Sequence, residues 1–202
     1  MADDKDHEAL HAMDDEEARR KKRRKWTIGI IAFVIFQVVQ GLFFVLVIMK
    51  FRSPKFRIAP PDMIQTLTVG TPASPSFDMS FMAPIQIKNT NWGPFKYDAT
   101  TIYFTSHGVP VGQVYIPKSK ANFKSTKKID VGVYLKLDSS NSTSNPGLGI
   151  DLSSGVISLN SGGEITGKVT VMFMFKKKKT SVMDCSMTIL VPARQVLAWA
   201  CN

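Results

Sequence analysis

From residue 63 onward, apolar and polar residues alternate along the chain. Phe77, Met79, Phe81, Ala83, Ile85 and Ile87 share one parity, and Asp78, Ser80, Gln86 and Lys88 hold the other. The pattern recurs with Ile129, Val131, Val133, Leu135 and Leu137 against Lys128, Asp130 and Lys136. It recurs with Ile165, Val169, Val171, Phe173 and Phe175 against Glu164, Thr166, Lys168 and Thr170, and with Met183, Cys185, Met187, Ile189 and Val191 against Asp184, Ser186 and Thr188. A period of two places successive side chains on opposite faces of a strand, so each segment predicts a strand with one buried and one wet face. Such strands belong to antiparallel sheets. Shorter strands are expected at 63–69, 96–104 and 109–116. Turn signals are Asn91-Trp92-Gly93-Pro94, His107-Gly108 and Ser161-Gly162-Gly163. Roughly seven short strands with inward alternation predict an all-β, immunoglobulin- or fibronectin-like antiparallel β-sandwich. Residues 147–159 alternate poorly and predict a short helix or an irregular crossover.

The pattern upstream is different. Residues 27–49 carry no charge over 23 positions, which at 1.5 Å per residue spans about 30 Å of hydrocarbon. A cleaved signal peptide has a shorter apolar core, roughly 7–15 residues, and small residues before its cut site. The segment therefore predicts an uncleaved transmembrane signal-anchor helix over 26–49. It divides the chain into a charged cytosolic tail (1–25) expected to be disordered, the helix, a basic proline-containing linker (50–62) and the β-domain (63–202). Gln37, Gln40 and Gly41 share one helix face, which either supports self-association or is tolerated in a monomeric anchor.

Charge sets the expected orientation. Arg19, Arg20, Lys21, Lys22, Arg23, Arg24 and Lys25 form an unbroken basic run before the helix, whereas Lys50, Arg52, Lys55 and Arg57 are spread out after it. The denser cluster stays cytosolic and touches anionic lipid, which places the C-terminal domain in the lumen or outside the cell, with the plasma membrane as the expected site. The formal net charge is +10. The tail holds eight acidic and eight basic groups, so the excess lies beyond residue 25. A basic domain suits an acidic partner. Lys176, Lys177, Lys178 and Lys179 make a compact run expected at a hairpin tip, either a contact for lipid headgroups or an acidic polymer, or gatekeeper charge beside the apolar strand Val171–Phe175.

Catalytic and metal chemistry leaves no sequence signature. His7 and His11 lie in the tail, and His107 stands alone beside a turn glycine. No Cys/His cluster has metal spacing, and no nucleophile elbow, phosphate-binding loop or dinucleotide glycine pattern occurs. No enzyme activity and no cofactor are expected. Asn141-Ser142-Thr143 is an N-glycosylation sequon in a polar loop, which makes Asn141 a modification candidate. The two cysteines do not make a disulfide scaffold. Cys185 is expected in the core and Cys201 in an exposed tail, both as free thiols. A bond between them requires the tail to fold back and bring the Cα atoms within roughly 4.4–6.8 Å.

Several segments together resemble the plant late-embryogenesis-abundant proteins of group two. They are Ile87-Lys88-Asn89-Thr90-Asn91, Phe95-Lys96-Tyr97-Asp98, Gly108-Val109-Pro110-Val111-Gly112, Ile116-Pro117, Gly167-Lys168-Val169 and Asp184-Cys185-Ser186-Met187, behind a basic tail and anchor. Thr90 stands where that family usually has proline. The resemblance implies a water-stress/hypersensitive-response sandwich, like that of harpin-induced and non-race-specific disease-resistance membrane proteins, with no catalytic residues to carry over. Two functions follow as expectations. One is a membrane-anchored stress or defence protein acting as a non-catalytic binding or adaptor module; the other is a non-specific membrane or protein protectant during dehydration. Expected partners are membrane lipids, with a protein partner or a second copy of the chain beyond them. Nucleic acid and a small-molecule substrate are not expected.

Overall fold

The computed structural model describes residues 2–48, 50–138, 146–171 and 175–201. The chain divides after Lys50 into two units. The first is helix α1 (Ala2–Phe43), which ends in a π-helical turn, Phe44–Ile48. Helical geometry runs through the acidic tail, where the sequence suggested no regular structure. Between Arg19 and Val47 the helix is long and apolar enough to cross a membrane. Ile28, Phe33, Phe36 and Leu42 stand exposed along it.

The second unit is antiparallel throughout. Its first sheet contains β1 (Lys55–Ile58), β2 (Ile64–Thr71), β3 (Ser74–Lys88) and β8 (Thr126–Leu137). β8 runs along one side of β3, while β2 and β1 pair with its N- and C-terminal parts on the other. The second sheet contains β4 (Phe95–Tyr97), β5 (Thr100–Ser106), β6 (Val109–Ile116), β7 (Ser119–Ala121), β9 (Val156–Val171), β10 (Phe175–Leu190) and β11 (Gln195–Cys201). Its backbone is the hairpin β9–β10, flanked by β11. β5 and β4 pair with successive parts of β9, and each carries one further strand, β6 and β7. A short helix, α2 (Pro146–Ser153), precedes β9.

The predicted parity is the observed one. Phe77, Met79, Phe81, Ala83, Ile85 and Ile87 are all buried, as are Val133, Leu135, Ile165, Val169, Val171, Met183, Met187 and Ile189. The inner faces interlock: Phe81 of the first sheet meets Phe104 of the second edge-on, ring centroids 6.4 Å apart. Leu148 seats α2 in the same core.

Several boundaries differ from expectation. Residues 50–62 are not a plain linker, because Phe56 and Ile58 of β1 are buried against β3. Ser161-Gly162-Gly163 is not a turn; it lies inside β9, where Gly163 lets the strand pass close over Ile102 and Phe56. The lysine run is not a hairpin tip but the first part of β10, paired from Lys176↔Thr170 to Lys179↔Gly167. Phe175 follows the inward parity yet is exposed, although its cross-strand partner Val171 is buried. Phe173 and Asn141 lie outside the described residues. His107-Gly108 is the predicted turn: both residues have positive φ, 49° and 84°, as a two-residue hairpin joining β5 and β6 requires.

The cysteines also differ from expectation. Cys185 and Cys201 form a disulfide, with Cα atoms 4.1 Å apart. The chain turns back sharply after Leu190, with Arg194 at φ 53°, and β11 returns along β10 until the two cysteines are direct cross-strand partners. A hairpin supplies the proximity that an irregular tail would not.

Candidate binding face

The outer surface of the second sheet carries an unusual arrangement of charge. On β4, Lys96 sits between buried Phe95 and Tyr97, which forces its side chain outward. Lys96 is directly opposite Lys120 of β7 on one side and Lys168 of β9 on the other. Lys168 in turn is directly opposite Lys178 of β10. Residues directly opposite in an antiparallel ladder project to the same face. The register thus lines up Lys120, Lys96, Lys168 and Lys178 across four adjacent strands, all exposed.

Lys176, two residues before Lys178 on β10, and Lys118, just before β7, join them. With Lys96, Lys120 and Lys168 they line a shallow concavity of about 600 Å³ that also includes Ser119, Thr170 and Asp98. Asp98 is the one acidic group in that lining. Among the described residues none of the six lysines has a hydrogen bond or ion pair to its side chain. Tyr97 lies beneath them, and burial pushes its phenol above the ordinary tyrosine value, so it adds no negative charge at neutral pH. Like charges directly opposite in a sheet destabilise it, and here three successive cross-strand pairs are Lys–Lys.

Of the four lysines singled out in the sequence, the structure brings Lys176 and Lys178 to this face; Lys177 and Lys179 have the opposite parity. Lys96, Lys118, Lys120 and Lys168 are the residues that sequence reading missed. Arg19 to Lys25 are exposed on α1, as are Gln37, Gln40 and Gly41, and a Cβ added at Gly41 meets nothing within 4 Å. The wider cavity of about 920 Å³ between residues 60–65 and β11 contains only Asp62 and Arg194 as charged groups. His107 does not stand alone. Its Nε2 lies 2.9 Å from Asp151 Oδ2, which also accepts the Ser158 backbone N–H at 2.9 Å, a clamp between the β5–β6 turn, α2 and β9. Among the described residues no group of three His, Cys, Asp or Glu is placed to hold a metal.

The Asn89-Thr90-Asn91 segment forms a buried polar knot. Asn89 Nδ2 donates to the carbonyls of Gly93 at 2.8 Å and Asn122 at 2.9 Å, and its Oδ1 accepts from the Asn91 backbone N–H at 3.0 Å. Asn91 then grips Arg52, donating from Nδ2 to its carbonyl at 2.7 Å and accepting its N–H at 2.6 Å. The first residues after Lys50 are thereby tied into the sandwich. Outside the knot, Trp92 packs on Phe123 with ring centroids 5.4 Å apart, and the Lys124 ammonium lies 3.4 Å from the Trp92 ring centroid.

The fold and surface define a β-sandwich with a basic outer face, preceded in the chain by one long apolar helix. The chain is similar to late embryogenesis abundant protein At1g64065 of Arabidopsis thaliana, 25% identical over 178 residues that cover 87% of this chain and 79% of that protein. The solution structure of AT1g01470 from Arabidopsis thaliana aligns at a TM-score of 0.33 with 14% identity, covering 66% of this chain and 82% of that one. That of the late embryogenesis abundant protein At2g46140.1 aligns at 0.33 with 11% identity, covering 80% and 86%. No family model matches the chain. The resemblance noted from the asparagine knot and the late strands is thus met over most of the chain by a late embryogenesis abundant protein.

Proposed function

We propose that this protein is a membrane-anchored, non-catalytic binding module of the stress response, in the manner of group-two late-embryogenesis-abundant proteins, with its sandwich on the non-cytosolic side of the plasma membrane. The observation that carries the binding reading is the uncompensated lysine row. Three Lys–Lys cross-strand pairs work against the fold, and an acidic partner reverses that balance. The similarity to At1g64065 supports the stress-related role. The disulfide supports the orientation, because such bonds persist in oxidising compartments and are rare in the cytosol. The basic run before the apolar helix supports the same orientation. Two strands of 16 residues and a packed apolar core argue against a disordered, non-specific protectant.

The test has two parts. In sealed microsomes, protease should digest residues before the helix and spare 51–202; cleavage of the sandwich in intact vesicles overturns the orientation. In solution, the full chain should bind at least one class of polyanion saturably and through the row. Loss of binding on reversing Lys96 and Lys168 supports the module. Absence of any row-dependent ligand overturns it.

A further inference from the structure

We propose that the lysine row is a track for a linear acidic polysaccharide whose successive sugars each carry a carboxylate, laid across β7, β4, β9 and β10. This rests on reading the basic face as a binding surface, and it names what that surface takes.

The geometry is regular. Adjacent strands lie about 4.8 Å apart, so Lys120, Lys96, Lys168 and Lys178 place four cations along a line of about 14 Å. A file of evenly spaced point cations suits a file of evenly repeated carboxylates. The row contains lysine alone. Arginine is the residue of bidentate, planar recognition, whereas lysine offers a compact charge on a flexible stem. Such a row holds a polymer by many weak contacts rather than one discrete anion in a closed pocket. The rest of the lining fits a sugar: Thr170 offers a hydroxyl, and the Asp98 carboxylate accepts from sugar hydroxyls at one flank. The next row repeats the chemistry with Thr166 and Thr180, their hydroxyls 2.9 Å apart.

Other polyanions fit less well. Single-stranded nucleic acid is held by exposed aromatics that stack on bases, and the aromatics of β4, Phe95 and Tyr97, face the core. A lipid interface is met by exposed Trp, Phe or Leu beside the cations, and the lining holds none of these. The Cys185–Cys201 disulfide sits in the same sheet and is at home in compartments where acidic polysaccharides are found.

The experiment uses the full chain in nanodiscs of zwitterionic lipid. Polygalacturonate should bind, and binding should weaken steeply with salt; the methyl-esterified polymer, with the same backbone and no charge, should not bind. The double variant Lys96→Glu/Lys168→Glu should lose about tenfold or more in affinity. Its disulfide should stay intact and its melting temperature should not fall. The control Lys127→Glu/Lys128→Glu, on the other sheet, should change affinity less than about twofold. Equal binding of the esterified polymer, or an equal loss in the control, overturns the proposal. Row-dependent binding to phosphatidylserine vesicles or an acidic peptide, with none to polygalacturonate, rejects the polysaccharide and leaves the binding module standing. No row-dependent binding to any of them removes both.

Discussion

Asn91 and Arg52, 39 residues apart, are held together by two hydrogen bonds, in which the Asn91 side-chain amide both accepts the Arg52 backbone N–H and donates to its carbonyl, at 2.6 and 2.7 Å. The segment that leaves the apolar helix is thus fixed on the sandwich by one side chain. Asn91 is itself buried and oriented by Asn89 Oδ1 at 3.0 Å. Asn91→Ala leaves both groups of Arg52 and the Asn89 acceptor short of partners. It should destabilise the sandwich by about 1–3 kcal/mol. Asn91→Asp keeps the acceptor for the Arg52 N–H but turns a buried carboxylate oxygen on the Arg52 carbonyl and Asn89 Oδ1, and should be at least as unstable as the alanine variant. Urea denaturation orders the three proteins, and faster hydrogen exchange at the Arg52 amide localises the effect. An unchanged exchange rate at Arg52 in the alanine variant rejects the tether.

The disulfide closes a separation of 16 residues between direct cross-strand partners. Cross-linking a loop of that size stabilises a fold by about 3 kcal/mol through the unfolded state. Cys201→Ser should therefore lower stability by about that amount, and the loss should match that produced by reducing the wild type. Mass analysis of non-reduced, denatured protein should find no alkylatable thiol. One or two alkylated cysteines in protein from its native membrane would contradict the bond.

Strand parity was legible because it is local: each residue's face depends on its own neighbours, and Phe77 to Ile87 announce theirs over 11 positions. The short strand Lys55–Ile58 was hidden because its alternation, Lys-Phe-Arg-Ile, is only two periods long and sits between Pro54 and Pro60. Non-local pairing was the harder matter. Each of Lys96, Lys120 and Lys168 reads singly as an ordinary outward residue. That they stand abreast depends on registers between strands up to 72 residues apart in sequence, Lys96 against Lys168. Lys178 stands in a lysine run, and such a run reads as a turn, whereas its place opposite Lys168 follows from the long β9–β10 hairpin. The cysteines failed similarly: a sixteen-residue separation looks distant until the turn after Leu190 sets β11 against β10.

Parity makes a sharp test of the core. Val171 is buried at 1% exposure while its strand neighbour Thr170 is only partly covered. Val171→Asp places an unpaired carboxylate among apolar side chains, a burden of several kcal/mol against a typical total stability of about 5–15. The variant should fail to give a cooperative thermal transition. Thr170→Asp, one residue away on the outer face, should melt within a few degrees of wild type. Equal melting of the two would overturn the assignment of faces.

The lysine row predicts that some charge reversals stabilise the protein. Lys96 and Lys168 each face a lysine on both sides, whereas Lys120 and Lys178 each face one. Opposite charges directly across an antiparallel pair favour it by roughly 0.2–1 kcal/mol, and like charges oppose it by a similar amount. Lys168→Glu converts two unfavourable pairs into favourable ones, and Lys178→Glu converts one. Both should raise stability in the absence of ligand, with Lys168→Glu gaining about twice as much as Lys178→Glu. The gains should shrink as salt is raised from low ionic strength to about 1 M, where the Debye length falls to about 3 Å. Denaturation of both variants at two salt concentrations measures this directly. If Lys168→Glu is instead the less stable protein, the row is part of what holds the sheet together. If the two gains are equal, Lys96 does not stand beside Lys168 as the register requires.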